Sequence, residues 1–411
     1  LRTLYDAADL QAFRATALDP AHPHQRGTIT TRHDWMQMFE SVTDAYERAV
    51  PAAVEAAMAR VAELTGRRYG LFDYAGAPDA ESVVVALGAG ALTVEEVVDD
   101  LVRAEGAKVG VLRVHLYRPW SARHFVAALP RTVRRIAVLD RTKEPGSVGE
   151  PLLLDVLATV HGAEAAAAGL RAGDIAVVGG RYGLADKAFT PLMVRSIFAR
   201  LADAAQPLMP RFVVGIDDDV AHLSLPLLPR CPDAAAPGLT QCTLWGLGSD
   251  GTVGAAQMAL RLATGHSTRE RPVYTQGQFH FTAHKSGGVT ITYMRFGPTP
   301  IKGSYPITAA DFTGCYHPSY VGKYPVLDAC RRGSVLLLNC PWGADAARGS
   351  TLARRLPAAW RRRIAAQELR FYTIDAMKIS RAAGLGQHYN LVLLTAFFKL
   401  SGVLPVEEAI P

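Results

Sequence analysis

Ser82-Val-Val-Val-Ala-Leu-Gly-Ala-Gly90, with the helical pattern that follows over 93–104, decides the fold. A compact β-branched run is cut by a glycine turn and returns as a helix. The alternation continues down the chain. Apolar runs at 108–116, 135–139, 174–178 and 211–216 are separated by helical segments at 125–129, 153–168 and 191–202. Buried strands alternating with helices imply right-handed βαβ units and a parallel sheet, so residues 79–218 read as one α/β domain.

Working outward, residues 1–78 are mostly helical in pattern. A helical period over 54–64 stops at Gly66, and Pro20-Ala-His-Pro-His24 reads as a loop. With few strand signals, this piece is expected to lean on another domain. Residues 219–239 hold Leu223-Ser-Leu-Pro-Leu-Leu-Pro229 and further prolines, the composition of a linker or extended arm. A second α/β domain is expected over 240–405, with 406–411 opening another linker. Its strands are expected at 242–245, 273–281, 289–295, 312–316, 334–339 and 370–374. Helices follow the first strand and occupy 364–368, 376–384 and 391–400.

A chain of 411 residues has room for two or three domains, and 49% hydrophobic with 20% charged residues is ordinary for a globular protein. The net charge of +6 suggests some affinity for anions. Arg354-Arg355 and Arg361-Arg362-Arg363 edge alanine-rich helical stretches and read as solvated helix faces. No aromatic interleaving or nucleic-acid motif accompanies them, which argues against nucleic acid. Cys231, Cys242, Cys315, Cys330 and Cys340 include no C-x-x-C pair. Their odd count argues against a disulfide framework and for buried thiols in a reducing compartment. No apolar run reaches the roughly 20 residues of a membrane span, and nothing resembles a signal peptide, so a cytoplasmic location is expected. A start at Leu1 rather than methionine suggests a fragment or processed piece.

The densest local signal is Trp245-Gly-Leu-Gly-Ser-Asp-Gly-Thr-Val-Gly-Ala255. A strand, a loop with Gly246, Gly248, Gly251 and Gly254, and a helix would aim backbone N–H groups and a positive helix end at an anion. Plain tight turns give the same pattern. The Walker lysine–threonine ending is absent, and so is the acidic ribose ligand of a dinucleotide fold. The next strand runs instead into His280-Phe-Thr-Ala-His-Lys-Ser-Gly-Gly288, where His284, Lys285 and Ser286 could meet a second negative group. Lys285 taken alone could equally be a surface lysine. A thiamine–metal motif needs Gly-Asp-Gly closed by an asparagine some tens of residues later. Only Asn339 and Asn390 exist, so Ser249-Asp-Gly251 does not open one.

Asp140-Arg-Thr-Lys-Glu-Pro-Gly146 and Gly149-Glu-Pro-Leu-Leu-Leu-Asp155 resemble segments of the pyruvate:ferredoxin (flavodoxin) oxidoreductases. So do Leu71-Phe-Asp-Tyr-Ala-Gly-Ala-Pro-Asp-Ala80, Leu116-Tyr-Arg-Pro-Trp120 and Gly180-Arg-Tyr-Gly-Leu184. The resemblance continues through the glycine loop, Lys285-Ser-Gly-Gly288, Arg295-Phe-Gly297, His317-Pro-Ser-Tyr320, Phe371-Tyr-Thr-Ile-Asp-Ala376 and Thr395-Ala-Phe-Phe-Lys399. It implies the end of a thiamine-pyrimidine-type domain over 1–78 and a transketolase C-terminal-like domain over 79–218. A coenzyme-A-binding domain resembling the 2-oxoacid oxidoreductase γ subunit would then cover 240–405.

Such enzymes oxidise pyruvate to acetyl-coenzyme A on thiamine diphosphate and Mg²⁺. They pass the electrons through [4Fe-4S] clusters to ferredoxin or flavodoxin, and a homodimer is implied. The resemblance places the thiamine and cluster machinery in domains this chain does not contain, so the chain alone should be inactive. It assigns coenzyme A binding to Gly248, Ser249, Asp250, Gly251, Thr252 and Gly254, to His284, Lys285 and Ser286, and to Asn390. No catalytic residue and no metal ligand is assigned to this chain. The family usually carries lysine where His284 stands, which makes a phosphate contact there weaker or pH-dependent. Asp140-Arg-Thr-Lys143 reads as a buried charge network between domains. The rival from another class is a stand-alone module that binds coenzyme A or an acyl derivative without catalysis. The His22-Pro-His-Gln-Arg-Gly27 stretch, which resembles a connection to an upstream domain, argues against it.

Overall fold

The computed structural model describes residues 6–23, 33–229, 238–281, 287–343 and 350–409. The chain divides into two units, Leu1–Arg68 and Tyr69–Pro411. In the first, α1 (Ala7–Arg14) begins with a capping box in which Asp6 and Asp9 each accept the other's backbone N–H. Helix α2 (Trp35–Glu40) and a π-helical turn (Ala45–Ala49) lead into α3 (Val50–Thr65), which Gly66 ends in a left-handed conformation. These helices bury only Pro51.

The second unit carries two six-stranded sheets. The first holds β1 (Phe72–Gly76), β2 (Ser82–Leu87), β3 (Val109–Val114), β4 (Arg135–Asp140), β5 (Ala176–Arg181) and β6 (Arg211–Val213), in the order β1-β3-β2-β4-β5-β6. Helices α4 (Gly88–Glu105), α5 (Ala122–Ala128), α6 (Pro151–Val160), α7 (Ala163–Ala167) and α8 (Pro191–Ala202) make the crossovers. Val83, Val84 and Val85 are fully buried, as a central parallel strand covered on both faces requires.

Strand β1 corrects the expected boundary at 78/79. It pairs antiparallel with β3, so residues 69–78 belong with the first sheet rather than with the helical segment. Phe72 anchors it, its ring 5.1 Å from Trp120 and 5.6 Å from Phe125. The Asp140–Lys143 group is also corrected, because its described contacts stay inside this domain. The Asp140 carboxylate accepts the N–H groups of Leu152 and Leu153 at the start of α6, and Arg141 Nε donates to Gly183 O. Beyond β6, Leu225 N donates to Val213 O and Val213 N to Leu223 O, so the expected linker begins as an arm stitched to the sheet edge.

The second sheet holds β7 (Thr240–Leu247), β8 (Tyr274–Phe281), β9 (Val289–Gly297), β10 (Ala310–Cys315), β11 (Cys330–Asn339) and β12 (Arg370–Ile374), in the order β12-β11-β10-β7-β9-β8. Its helices are α9 (Thr252–Gly265), α10 (Thr351–Arg355), α11 (Ala358–Ala366), α12 (Ala376–Ala382), α13 (Tyr389–Ser401) and α14 (Val406–Ala409). Strands β12, β11, β10 and β7 are mutually parallel, but β9 runs antiparallel to both β7 and β8. The sheet is therefore mostly parallel, as the expected α/β class has it, with β9 running antiparallel to its neighbours. The short connection from β8 to β9 cannot make a parallel crossover, which takes a dozen or more residues.

A buried guanidinium organises the far end of this sheet. Arg295, 1% exposed, donates to Gln241 Oε1, Gln276 Oε1 and Tyr305 O at 3.2, 2.8 and 2.7 Å and packs over the Tyr305 ring. The loop so fixed reaches α4 of the first sheet. There Gly303 N donates to Glu96 Oε2 at 2.7 Å, the Tyr305 hydroxyl donates to Glu96 Oε1, and Lys302 pairs with Glu95 and Asp99. Arg295→Met would strip three acceptors of this donor, in two buried hydrogen bonds and one part-buried one. The unfolding free energy should fall by about 3–5 kcal/mol in urea titrations, and a fall below about 1 kcal/mol would contradict this role.

Candidate functional site

The glycine loop leaves the end of β7 with its conformation set by two positive-φ residues, Ser249 at 74° and Gly251 at 82°. Asp250 braces it from within. Its Oδ2 accepts the N–H of Leu247 and its Oδ1 that of Thr252, both at 2.7 Å. The carboxylate is thereby turned onto its own loop. Gly248 N donates to Gly288 O at 2.7 Å, tying the loop to the start of β9. What remains at the start of α9 is a set of N–H groups, on Gly251, Val253 and Gly254, with no partner among the described residues. Unpaired N–H groups at the positive end of a 14-residue helix are an anion cradle.

Asn390, in the first turn of α13, lies against this loop. A Cβ on Gly251 would stand 2.9 Å from its Nδ2 and 3.0 Å from its Cγ. Thr252 Oγ1 is buried without a hydrogen bond, and a Cβ on Gly246 would meet it at 2.6 Å. Gly246 is therefore a close-approach glycine. The structure thus brings together Gly248, Ser249, Asp250, Gly251, Thr252, Gly254 and Asn390. His284, Lys285 and Ser286 lie outside the described residues. The glycines after them, Gly287 and Gly288, lie beside Gly248.

A cavity of about 540 Å³ opens next to the loop. In-register parallel pairing sets Cys315 beside both Trp245 and Leu338, and Asn339 beside Ile374. The carboxyl ends of β7, β10, β11 and β12 therefore reach one level, where ligands of open α/β sheets gather. Tyr316, His317 and Pro318 follow β10 into the wall, and Asn339 and Cys340 come from the end of β11. Asp375, Lys378 and Arg381 come from the start and body of α12, and Tyr389 opens α13 one residue before Asn390. The Asn339 amide pins this corner by donating to Tyr316 O and accepting from Ala376 N, at 3.0 and 3.1 Å.

Burial keeps the phenols and the thiol around this site in their neutral forms. Burial pushes the Tyr320 phenol up to about 12, the charge of Asp250 adding to it, and its hydroxyl donates to Gly246 O at 2.9 Å. Burial and then Asp250 also raise Tyr389, and burial raises the Cys340 thiol, so both stay protonated near neutrality. Among the described residues no group of three or more His, Cys, Asp or Glu side chains could hold a metal ion. Sequence reasoning missed His317, Lys378, Arg381 and Tyr389 as site residues. Their one available signal was helical spacing, which places Lys378 and Arg381 on one face of α12.

Two family models match the chain. Pyruvate ferredoxin/flavodoxin oxidoreductase covers residues 241–410, and pyruvate:ferredoxin oxidoreductase core domain II covers residues 80–182. The pyruvate:ferredoxin oxidoreductase of Moorella thermoacetica is 47% identical over 409 residues, 99% of this chain and 33% of its own length. The pyruvate-flavodoxin oxidoreductase of Rhodospirillum rubrum is 46% identical over 412 residues, 100% of this chain and 33% of its own. The pyruvate dehydrogenase [NADP(+)] of Cryptosporidium parvum is 41% identical over 410 residues, 100% and 20%. The chain thus spans a third or less of the length of these relatives. A solved pyruvate oxidoreductase subunit from Thermotoga maritima overlaps 42% of this chain and 82% of its own at 16% identity, with a TM-score of 0.31. That likeness is too slight to argue from.

Gly251→Val should break the loop and spare the sheets. Valine is strained at a φ of 82°, and its Cβ would press on Asn390. The unfolding free energy should drop by about 1–3 kcal/mol while the far-UV circular dichroism keeps its shape. A variant melting like wild type would contradict the geometry.

Proposed function

From the premise that this chain belongs to the pyruvate:ferredoxin/flavodoxin oxidoreductase family, we propose that it is the coenzyme-A-binding and scaffolding third of such an enzyme. The whole protein would oxidatively decarboxylate pyruvate and deliver the acetyl group to coenzyme A. Its electrons would go to ferredoxin or flavodoxin. The observation that carries the reading is the trio of N–H groups on Gly251, Val253 and Gly254 that have no partner among the described residues, set beside the cavity at the carboxyl ends of β10, β11 and β12.

In this reading the pyrophosphate of coenzyme A sits at the start of α9 and accepts from those N–H groups. Asp250 would otherwise repel it, but its two oxygens are occupied by the N–H groups of Leu247 and Thr252. Asn390 supplies an amide beside Gly251. Lys285 and Ser286 add a cation and a hydroxyl from the segment leading into Gly287-Gly288. We assign thiamine diphosphate, Mg²⁺ and the [4Fe-4S] clusters to the remainder of the longer polypeptide. When bound there, thiamine diphosphate would supply the carbanion chemistry and the clusters the electron path. A homodimer in the cytoplasm completes the proposal. Among the described residues, no helix is long and apolar enough to cross a membrane.

Titration calorimetry on the 411-residue chain tests this directly. Coenzyme A should bind with one-to-one stoichiometry, and Gly251→Val should abolish binding. Lys285→Ala should weaken it by roughly 10- to 150-fold, the worth of a charge-assisted contact of about 1.5–3 kcal/mol. Protonation of His284 adds a cation near its reference pKa of about 6.5, so affinity should rise as pH falls from about 8 to about 6. A flat profile would remove only His284 from the site. The chain alone should not turn over pyruvate with thiamine diphosphate, coenzyme A and ferredoxin, and turnover by it would overturn the division of labour.

A further inference from the structure

We infer that the cavity beyond β10, β11 and β12 seats the 3′-phosphoadenosine end of the ligand, with Lys378 and Arg381 holding its 3′-phosphate. This rests on the coenzyme A reading and extends it from the loop to residues that neither the glycine motif nor any comparison assigns. Lys378 and Arg381 stand three residues apart on α12, both line the cavity, and both are exposed. Neither side-chain head makes a hydrogen bond or ion pair among the described residues. Several other cations of this domain are paired with carboxylates. Arg331 pairs with Asp311, Arg332 with Glu368, Arg363 with Asp328 and Arg271 with Glu408. Lys378 and Arg381 differ in that both head groups, without a partner among the described residues, stand over one cavity.

Asp375 is the one carboxylate in the lining, and it does not cancel them. Its Oδ1 accepts the backbone N–H of Lys378 at 3.0 Å, capping α12, and its Oδ2 stays available. The cavity is of a size for small-ligand binding, and its wall is aromatic and apolar at Tyr316, Tyr389, Met377 and Pro341. A purine fits this wall: its faces pack on the aromatic rings, and its exocyclic amine can donate to Asp375 Oδ2. Coenzyme A has two ends. The pantetheine arm is uncharged and would leave both cations unused, whereas the adenosine end carries a phosphate of about −1.5 to −2 charge at pH 7 that two cations hold well. Tyr389 and Asn390 join the halves of the site, one lining the cavity and the other touching the loop at Gly251. A ligand with its pyrophosphate on α9 passes over the start of α13 into the cavity.

The test compares coenzyme A with dephospho-coenzyme A by titration calorimetry on the chain, its Lys378→Ala and Arg381→Ala variants, the double variant and Lys378→Arg. Wild type should bind coenzyme A at least about tenfold more tightly than the dephospho form. That ratio should shrink in each alanine variant, approach one in the double variant, and be kept by Lys378→Arg. Both side chains are exposed, and unchanged thermal melts would show that the variants fold. A wild-type ratio near one, or a ratio the double variant leaves intact, overturns the assignment. If wild type binds neither ligand, the coenzyme A reading fails and takes this inference with it.

Discussion

The parallel pairing of β7, β10, β11 and β12 is the constraint on which the candidate site depends. Its register sets Trp245, Cys315, Leu338 and the end of β12 at one level, and each strand then releases its chain on the same side of the sheet. Because the side-chain period of a strand is two, a slip of one residue in any pair would swap the side chains packed in the two core layers on either face. Phe312, Leu336 and Leu337 are essentially fully buried, which holds that register against slippage. From this one alignment follow the glycine loop at the start of α9, the wall after β10, the Asn339 corner and the cations of α12. These four pieces are far apart in sequence.

The opposite end of the same sheet has a different task. Arg295 has no route to water, so its guanidinium is satisfied inside by Gln241, Gln276 and the Tyr305 carbonyl. That fixes the 302–305 segment against Glu95, Glu96 and Asp99 of α4 and couples the two α/β domains. The interdomain charges thus meet far along the strands from the glycine loop. The carboxyl-end face carries none of these contacts and is where the ligand is proposed to bind. In the proposed reading, the domain would bind coenzyme A at one end of its sheet and is held at the other.

Much of this was legible in the residues. Val83–Val85 and Leu336–Leu338 are buried strands that announce themselves, and Gly251 marks a backbone position where φ is positive. The edges were harder. Strand β1 is Phe-Asp-Tyr-Ala-Gly, whose glycine and aspartate hide it from propensity; its ladder with β3 and the packing of Phe72 on Trp120 and Phe125 secure it. Strands were expected where β8 and β9 stand, but their antiparallel pairing was not legible, and β8 sits at the sheet edge, half-buried to exposed along its length. Asn390 was reached through resemblance alone. Lys378 and Arg381 carry no motif, since what makes them a pair over a cavity is the alignment of β11 with β12.

The central claim is that one ligand occupies the loop and the cavity together, and hydrogen exchange measured by mass spectrometry with and without coenzyme A tests it most directly. Protection should appear in peptides covering 246–256 and 375–392 at the same ligand concentration, with 109–214 of the first sheet unchanged. Protection confined to the first sheet, or none in either segment at saturating ligand, would contradict the account.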